Sequence, residues 1–408
     1  MHRNLHNKIS KLLTMFPVVA IIGARQCGKT TLAKTLKPDW LYIDLERPTD
    51  FNRIDIDAEF FLQQHPENVI IDEAWLAPKL FEVLRSVIDD NREKNGRFLL
   101  TGSSSPELLK NISETLAGRI AIVELGTFKA NELIGKPLSK FYQIFQQRLA
   151  KENLRELGKP QLTLGDIQTS WYKGGYPEPV LKNSQSFYLQ WMENYELTYI
   201  NRDIARLFPK LNKTAYQRFI TMLCKLSGTI LNKSQVARAL EVSESSVREF
   251  INIASGTFLW RQLPSYEKSQ TKSVVKMPKG YIRDTGLLHT LLRITDSQQL
   301  FVDPIVGSSF EGFVTEEIIK GLQATELTHW YPYSYRTRAG AEIDLILEGP
   351  FGTLPIEIKY GSTVTPRQLT ALGNFVVDNG LEFGLLINQS TSAYWLTEHI
   401  FQLPANYL

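Results

Sequence analysis

Val18-Val19-Ala20-Ile21-Ile22, then Gly23-Ala24-Arg25-Gln26-Cys27-Gly28-Lys29-Thr30, then Thr31-Leu32-Ala33-Lys34-Thr35-Leu36, is the stretch that decides the fold of the amino-terminal part. The first five residues read as a short buried strand and the last six as a helix. The eight between them fit G-x-x-x-x-G-K-[ST], a phosphate-binding loop. The spacing has a chemical reason. Gly23 and Gly28 permit a tight loop whose amide hydrogens surround phosphates at the positive end of the following helix. Lys29 is placed to neutralise β- and γ-phosphates and Thr30 to ligate Mg2+, so Gly23 to Thr31 is the expected nucleotide-binding segment, with ATP and Mg2+ as its ligands. Cys27 sits near a helix amino terminus that favours its thiolate; a tolerated small residue is the plainer reading.

Further along, Val69-Ile70-Ile71-Asp72-Glu73 is a buried-type strand that ends in two acids. Asp72 is expected to hold magnesium. Glu73 is placed to polarise the attacking water, because consecutive strand residues point to opposite faces and the strand end opens at the nucleotide crevice. A third strand, Arg97 to Ser103, ends in hydroxyls where ATPases of the AAA type carry a polar sensor; Thr101 is the expected sensor and Ser103 the alternate. Arg119, between Leu116-Ala117-Gly118 and the strand Ile120 to Leu125, stands where such a protein places an arginine finger, useful only if a neighbouring subunit or a domain closure brings it to the phosphate. A surface arginine closing a helix carboxyl end is the competing reading.

The rest of the chain bounds the setting. At 408 residues, with 43% hydrophobic and 22% charged residues, it is expected to fold into two or three domains. Lysine and arginine exceed aspartate and glutamate by only 46 to 43, so bulk charge neither demands nor excludes a polyanionic partner. The start, with Arg3, Lys8 and Lys11 before an apolar run, superficially resembles a signal peptide, but Pro17 interrupts it and the phosphate loop follows at once. No apolar stretch approaches the roughly 20 residues of a membrane helix. Two cysteines far apart make no disulfide framework. The cytoplasm is the expected location.

From Phe128 to about Arg206 the sequence turns helical and aromatic, which reads as a small helical domain over the nucleotide. Ser234 to Leu240, the link Glu241-Val242-Ser243 and Glu244 to Ile253 fit a helix-turn-helix with Ser243 as amino cap, and Phe258 to Pro264 starts a wing strand. A DNA reader wants lysine, arginine or asparagine at the front of its recognition helix; this one offers Glu244, Ser245, Ser246, Arg248 and Glu249. Packing or protein contact is the stronger reading for this module.

Near the carboxyl end, Ala341 to Leu347 alternates like a strand and puts Glu342 and Asp344 on one face, while Pro355 to Tyr360 puts Glu357 and Lys359 on one face. An acid followed by E-x-K on the neighbouring strand is the PD-(D/E)xK nuclease arrangement. In it Asp344 and Glu357 bind magnesium, Lys359 orients or deprotonates the water, and a helix acid such as Glu311 completes the site. Charged residues alternating on a solvent-facing hairpin give the same pattern, so on these residues alone both readings stay open.

The phosphate loop, VIIDEA, RFLLTGSS, LAGRI, GGYPEP, YINRDI, the helix-turn-helix, the stretch Pro278 to Leu287, and FEGFVTEE, GAEIDLIL and IEIKYG occur in an order that resembles a prokaryotic AAA-type ATPase family carrying a carboxyl-terminal DUF4143 domain. The resemblance runs over essentially the whole chain. It implies an α/β protein with a P-loop ATPase domain over residues 1–127, a helical lid over 128–215, a winged-helix-like domain over 216–290 and a restriction-endonuclease-like domain over 291–408. Two departures stand out: Gly280 replaces a bulky residue, and Asn201 replaces an acid. The output of the ATPase stays open between cleavage of DNA or RNA by Asp344, Glu357 and Lys359 and an ATP-driven switch or scaffold for protein partners in which the last domain is idle. A transcription regulator is a third, weaker reading. Self-association depends on whether Arg119 is a finger.

Overall fold

A computed structural model describes residues 2–103, 115–204, 208, 210–267 and 276–408, with the side chains of 201–203 outside the description. Asn201 is among the latter. The chain divides into two compact units, Met1–Thr127 with Gly256–Phe258, and Phe128–Ser255 with Leu259–Leu408.

The first unit is built on β1 (Val18–Gly23), β2 (Leu41–Asp44), β3 (Val69–Asp72), β4 (Phe98–Ser103) and β5 (Ile120–Glu124), in the order β2-β3-β4-β1-β5. Every pairing is parallel. β1 and β3 are buried along their whole length, as continuous apolar runs must be when helices cover both faces of a parallel sheet. The helix Lys79–Asp89 lays Leu80, Phe81, Leu84 and Ile88 into that core. The carboxyl ends of β1, β3 and β4 lie side by side, because β4 pairs with both neighbours. This alignment gathers the loop after Ile22, Asp72 and Thr101 at one edge.

The second unit holds two sheets. β6 (Thr229–Ile230), β7 (Trp260–Leu263) and β8 (Lys279–Ile282) form a three-stranded antiparallel sheet with β8 in the centre. Two helices, Lys233–Leu240 and Glu244–Gly256, stand between β6 and β7 in sequence. Ser243 caps the second as expected, its Oγ accepting from Ser246 N at 3.1 Å. The larger sheet runs β13-β14-β12-β11-β10-β9, from β9 (Tyr331–Arg336), β10 (Glu342–Gly349), β11 (Gly352–Ile358), β12 (Gly384–Asn388), β13 (Tyr394–Trp395) and β14 (Ile400–Pro404).

The segment 128–215 distributes itself between two cores. Its first part, including Phe141, Phe145 and Trp171, packs with Ile318, Leu345, Ile356 and Leu385 of the terminal α/β layer. Its later part, including Tyr188, Met192 and Tyr195, packs with Phe219, Val247, Phe250 and Leu287. No boundary between the compact units falls at 215 or 290. Gly280, the departure noted above, has its physical reason here: a Cβ would fall 2.1 Å from the indole of Trp260, which occupies the space a bulky side chain would take.

Candidate functional site

The phosphate loop leaves β1 at Gly23 and enters the helix Lys29–Leu36 at Gly28. Both glycines are required by geometry. Gly28 has φ 96°, a left-handed backbone. At Gly23 a Cβ would lie 2.1 Å from the Leu125 carbonyl oxygen. Cys27 is fully buried and its thiol donates to the Leu125 carbonyl at 3.3 Å, so it packs rather than reacts. Arg3 braces the loop from behind, donating to the carbonyls of Cys27 at 2.9 Å and Gly126 at 2.7 Å. The ammonium of Lys29, 5% exposed, folds into the loop and donates to the carbonyls of Gly23 at 3.1 Å and Ala24 at 2.9 Å.

Asp72 is the hub of the opposite wall. Its Oδ2 accepts from Thr30 Oγ1 and from the Tyr42 hydroxyl, each at 2.7 Å, and its Oδ1 accepts from Thr101. Burial and then Asp72 raise the Tyr42 hydroxyl above its ordinary range. Glu73, in a left-handed conformation at φ 52°, turns to β4, where its carboxylate accepts from Ser103 N at 3.0 Å, Ser103 Oγ at 2.9 Å and Trp75 Nε1 at 2.5 Å. Thr101 thus sits on the first acid and Ser103 on the second. Glu46 faces the same group: burial raises its carboxyl, Arg25 at 3.7 Å lowers it, and Glu73, Asp44 and Asp72 raise it again. Arg119 is engaged elsewhere in this unit, its guanidinium donating to both oxygens of Asp89 at 2.8 and 2.7 Å on the surface.

A hydroxyl and a carboxylate meeting at 2.7 Å, beside a loop of amides and a lysine, form a donor set that fits Mg2+, a hard cation that takes oxygen ligands and shares them with phosphates. Thr30 and Asp72 are the residues that would hold it, where it would neutralise phosphate charge.

The terminal constellation is also brought together. β10 and β11 pair antiparallel with Leu345 opposite Ile356, so Asp344 and Glu357 are cross-strand neighbours. Asp344 Oδ2 accepts from Ile358 N at 2.9 Å and lies 3.6 Å from Lys359 Nζ; Lys359 Nζ is 2.5 Å from Glu357 Oε1. Glu311 joins from the helix Val306–Ala324. Lys279 was not anticipated. Its ammonium bonds Glu342 at 2.8 Å and Asp344 at 3.0 Å and also pairs with Glu311, which accepts in turn from the Tyr281 hydroxyl. Burial and then Asp344 push Glu311 and Glu357 up to about 8. Burial acts against ionisation of Asp344 too, but Lys279 and Lys359 outweigh it and bring it down to about 2. With an ammonium beside each oxygen of Asp344, this donor set does not fit a divalent metal. Among the described residues no group of three or more histidine, cysteine, aspartate or glutamate side chains is arranged to hold a metal ion.

Sequence reasoning missed Arg3, Tyr42, Glu46 and Lys279. Only Tyr42 carried a signal, as a hydroxyl on the strand next to β3. No helix among the described residues is long and apolar enough to cross a membrane.

Comparison with known proteins agrees with this architecture. Residues 15–134 match the AAA domain family, residues 164–298 a domain of unknown function, DUF8612, and residues 306–408 the domain of unknown function DUF4143. Uncharacterized proteins of Mycobacterium tuberculosis and Mycobacterium bovis are each 31% identical over 415 residues, covering 99% of this chain and 83% of theirs. Among solved structures, a Walker-type ATPase of Pyrococcus abyssi aligns over 71% of this chain and 95% of its own at 14% identity and TM-score 0.46. The RuvB Holliday junction branch migration motor of Thermotoga maritima aligns over 64% and 89% at 16% identity and TM-score 0.30. The parallel sheet, the phosphate loop and the order of matched domains lead to one conclusion: the chain belongs to the family of AAA-type P-loop ATPases that carry a carboxyl-terminal DUF4143 domain.

Proposed function

We propose that the chain binds Mg-ATP at Gly23 to Thr31 and hydrolyses it, and that the cycle drives a conformational switch acting on partner molecules rather than a cutting centre. The observation that carries this reading is the convergence of Thr30 Oγ1 and Asp72 Oδ2 at 2.7 Å, beside the loop into which the Lys29 ammonium folds. Lys29 exchanges its carbonyl partners for phosphate oxygens, which are stronger acceptors. Glu73 is the base: releasing Ser103 frees its carboxylate to take a proton from water, while Thr101 keeps Asp72 oriented. Arg119 is held by Asp89 and takes no part within one chain.

The test is ATP binding and turnover by the full chain. Lys29→Ala is expected to abolish nucleotide binding, and Glu73→Gln to keep binding while slowing turnover roughly 100-fold or more. Unchanged affinity and turnover in Lys29→Ala would sink the assignment. A nuclease output is the second reading, favoured by the cross-strand meeting of Asp344 and Glu357 beside Lys359. Magnesium-dependent cleavage of DNA or RNA that disappears in Asp344→Ala would establish it.

A further inference from the structure

We infer that Lys279 is the resident cation of the terminal carboxylate cluster and that its occupancy keeps a divalent metal out of Asp344 and Glu357. The inference rests on the switch reading above and supplies its reason. The Lys279 side chain is 3% exposed and its Nζ is bonded to Glu311, to Glu342 at 2.8 Å and to Asp344 at 3.0 Å. Three acids from two elements, a helix and β10, thus converge on one ammonium delivered by a third.

The delivery is rigid. β8 is the central strand of its sheet, with Lys279 paired to Ile230 on one side and Leu263 on the other. Gly280 lies flat against the Trp260 indole, and Ile282 N donates to Ser227 Oγ at 3.1 Å. The backbone that presents the lysine is fixed on both flanks.

Metal entry would therefore be an exchange, not an addition. Magnesium demands near-octahedral oxygen coordination at about 2 Å. Asp344 Oδ1 already serves Lys279, and Asp344 Oδ2 accepts from Ile358 N and faces Lys359 at 3.6 Å. A dication at either oxygen stands in contact with an ammonium. Glu357 Oε2, buried and without a hydrogen-bond partner, is a single oxygen and supplies no coordination sphere by itself.

The experiment counts Mn2+ bound per full-length chain, without nucleotide, in a background of Asp72→Asn that silences the phosphate-loop metal. With Lys279 intact, no Mn2+ is expected at millimolar concentration. Lys279→Met is expected to gain one Mn2+ per chain, lost again on adding Asp344→Asn. Stoichiometric binding with Lys279 intact that Asp344→Asn removes overturns the inference, as does a folded Lys279→Met chain that gains nothing. Should Lys279→Met fail to fold, adding Asp344→Asn must restore folding, because it removes the charge the lysine neutralises; no restoration also overturns it. Mn2+ bound at Asp344 without nucleic-acid cleavage defeats this inference alone, whereas binding with cleavage defeats the switch reading as well.

Discussion

His289 offers a stability switch that is measurable without any ligand. Its ring is 1% exposed, stacked on Tyr172 and edge-on to Trp171. Nδ1 lies 2.9 Å from the Tyr172 carbonyl, which can only accept, so Nδ1 carries the proton. Nε2 lies 2.7 Å from Ser309 Oγ, which receives the Trp171 indole N–H at 2.9 Å and passes its own proton to the ring. A second ring proton would turn the Ser309 hydroxyl from donor to acceptor, and burial lowers the imidazole from 6.5 to about 4. The folded state therefore favours the neutral ring. Its contribution is fully present above pH 6.5, shrinks as pH falls, and is gone below about 4. The full window is worth about 3 kcal/mol, and pH 5 forfeits about 2 kcal/mol of it. Denaturant unfolding between pH 4 and 7 should show this loss in the unmodified chain and not in His289→Gln, the difference removing the carboxylates common to both. Selective ring labelling gives the direct check, since only six histidines must be resolved. An imidazole signal that vanishes in His289→Gln but titrates near 6.5 would refute the reasoning.

Three further outcomes are expected. Gly23→Ala should destabilise the first unit by ~1–3 kcal/mol, because its methyl group meets the Leu125 carbonyl at 2.1 Å and that strand edge cannot yield locally; urea unfolding of the variant measures it. Tyr42→Phe should lower the Mg2+ concentration for half-maximal ATP turnover by roughly fivefold, since removing one donor from Asp72 Oδ2 returns about 1 kcal/mol of acceptor capacity to the metal; a magnesium titration showing no shift or a rise contradicts the role given to Asp72. Lys129→Met should cost the second unit about 1–3 kcal/mol, because it takes from the buried carboxylate of Glu317 the ammonium that holds it at 2.9 Å and leaves Lys320, at 3.4 Å, as its cation. Adding Glu317→Leu should recover most of it, and a double-mutant cycle reports the coupling.

The phosphate site was legible because its chemistry is local. Gly23 to Thr30 is contiguous, and β3 announces Asp72 and Glu73 as an apolar run cut off by acids. The same locality exposed the register of Asp344 and Glu357, two strands joined by a tight turn at Gly349 to Gly352. Contacts between distant elements left no trace. Lys279 reaches acids 32 to 65 residues onward, and nothing in Pro278-Lys279-Gly280 marks a cation holder. Arg3 looked like part of a basic leader and proved to brace the loop. Arg119 was ambiguous for an opposite reason: one residue type serves a finger and a surface pair, and Asp89 lies 30 positions away. The segment 128–215 read as one helical piece because its periodicity reports burial without naming the partner.

The Lys129–Glu317 pair also sets an order of events during synthesis. The parallel sheet of the first unit has all its strands once residue 124 has emerged. Lys129 follows almost at once, but Glu317 lies 188 residues further on. At about 5–20 residues per second that gap lasts roughly ten to forty seconds. Throughout it, the aromatic residues from Phe141 to Trp171 lack the terminal sheet that later covers them. The nascent second unit is thus the stage at which apolar surface waits longest for its cover, while the strands of the first sheet have already emerged.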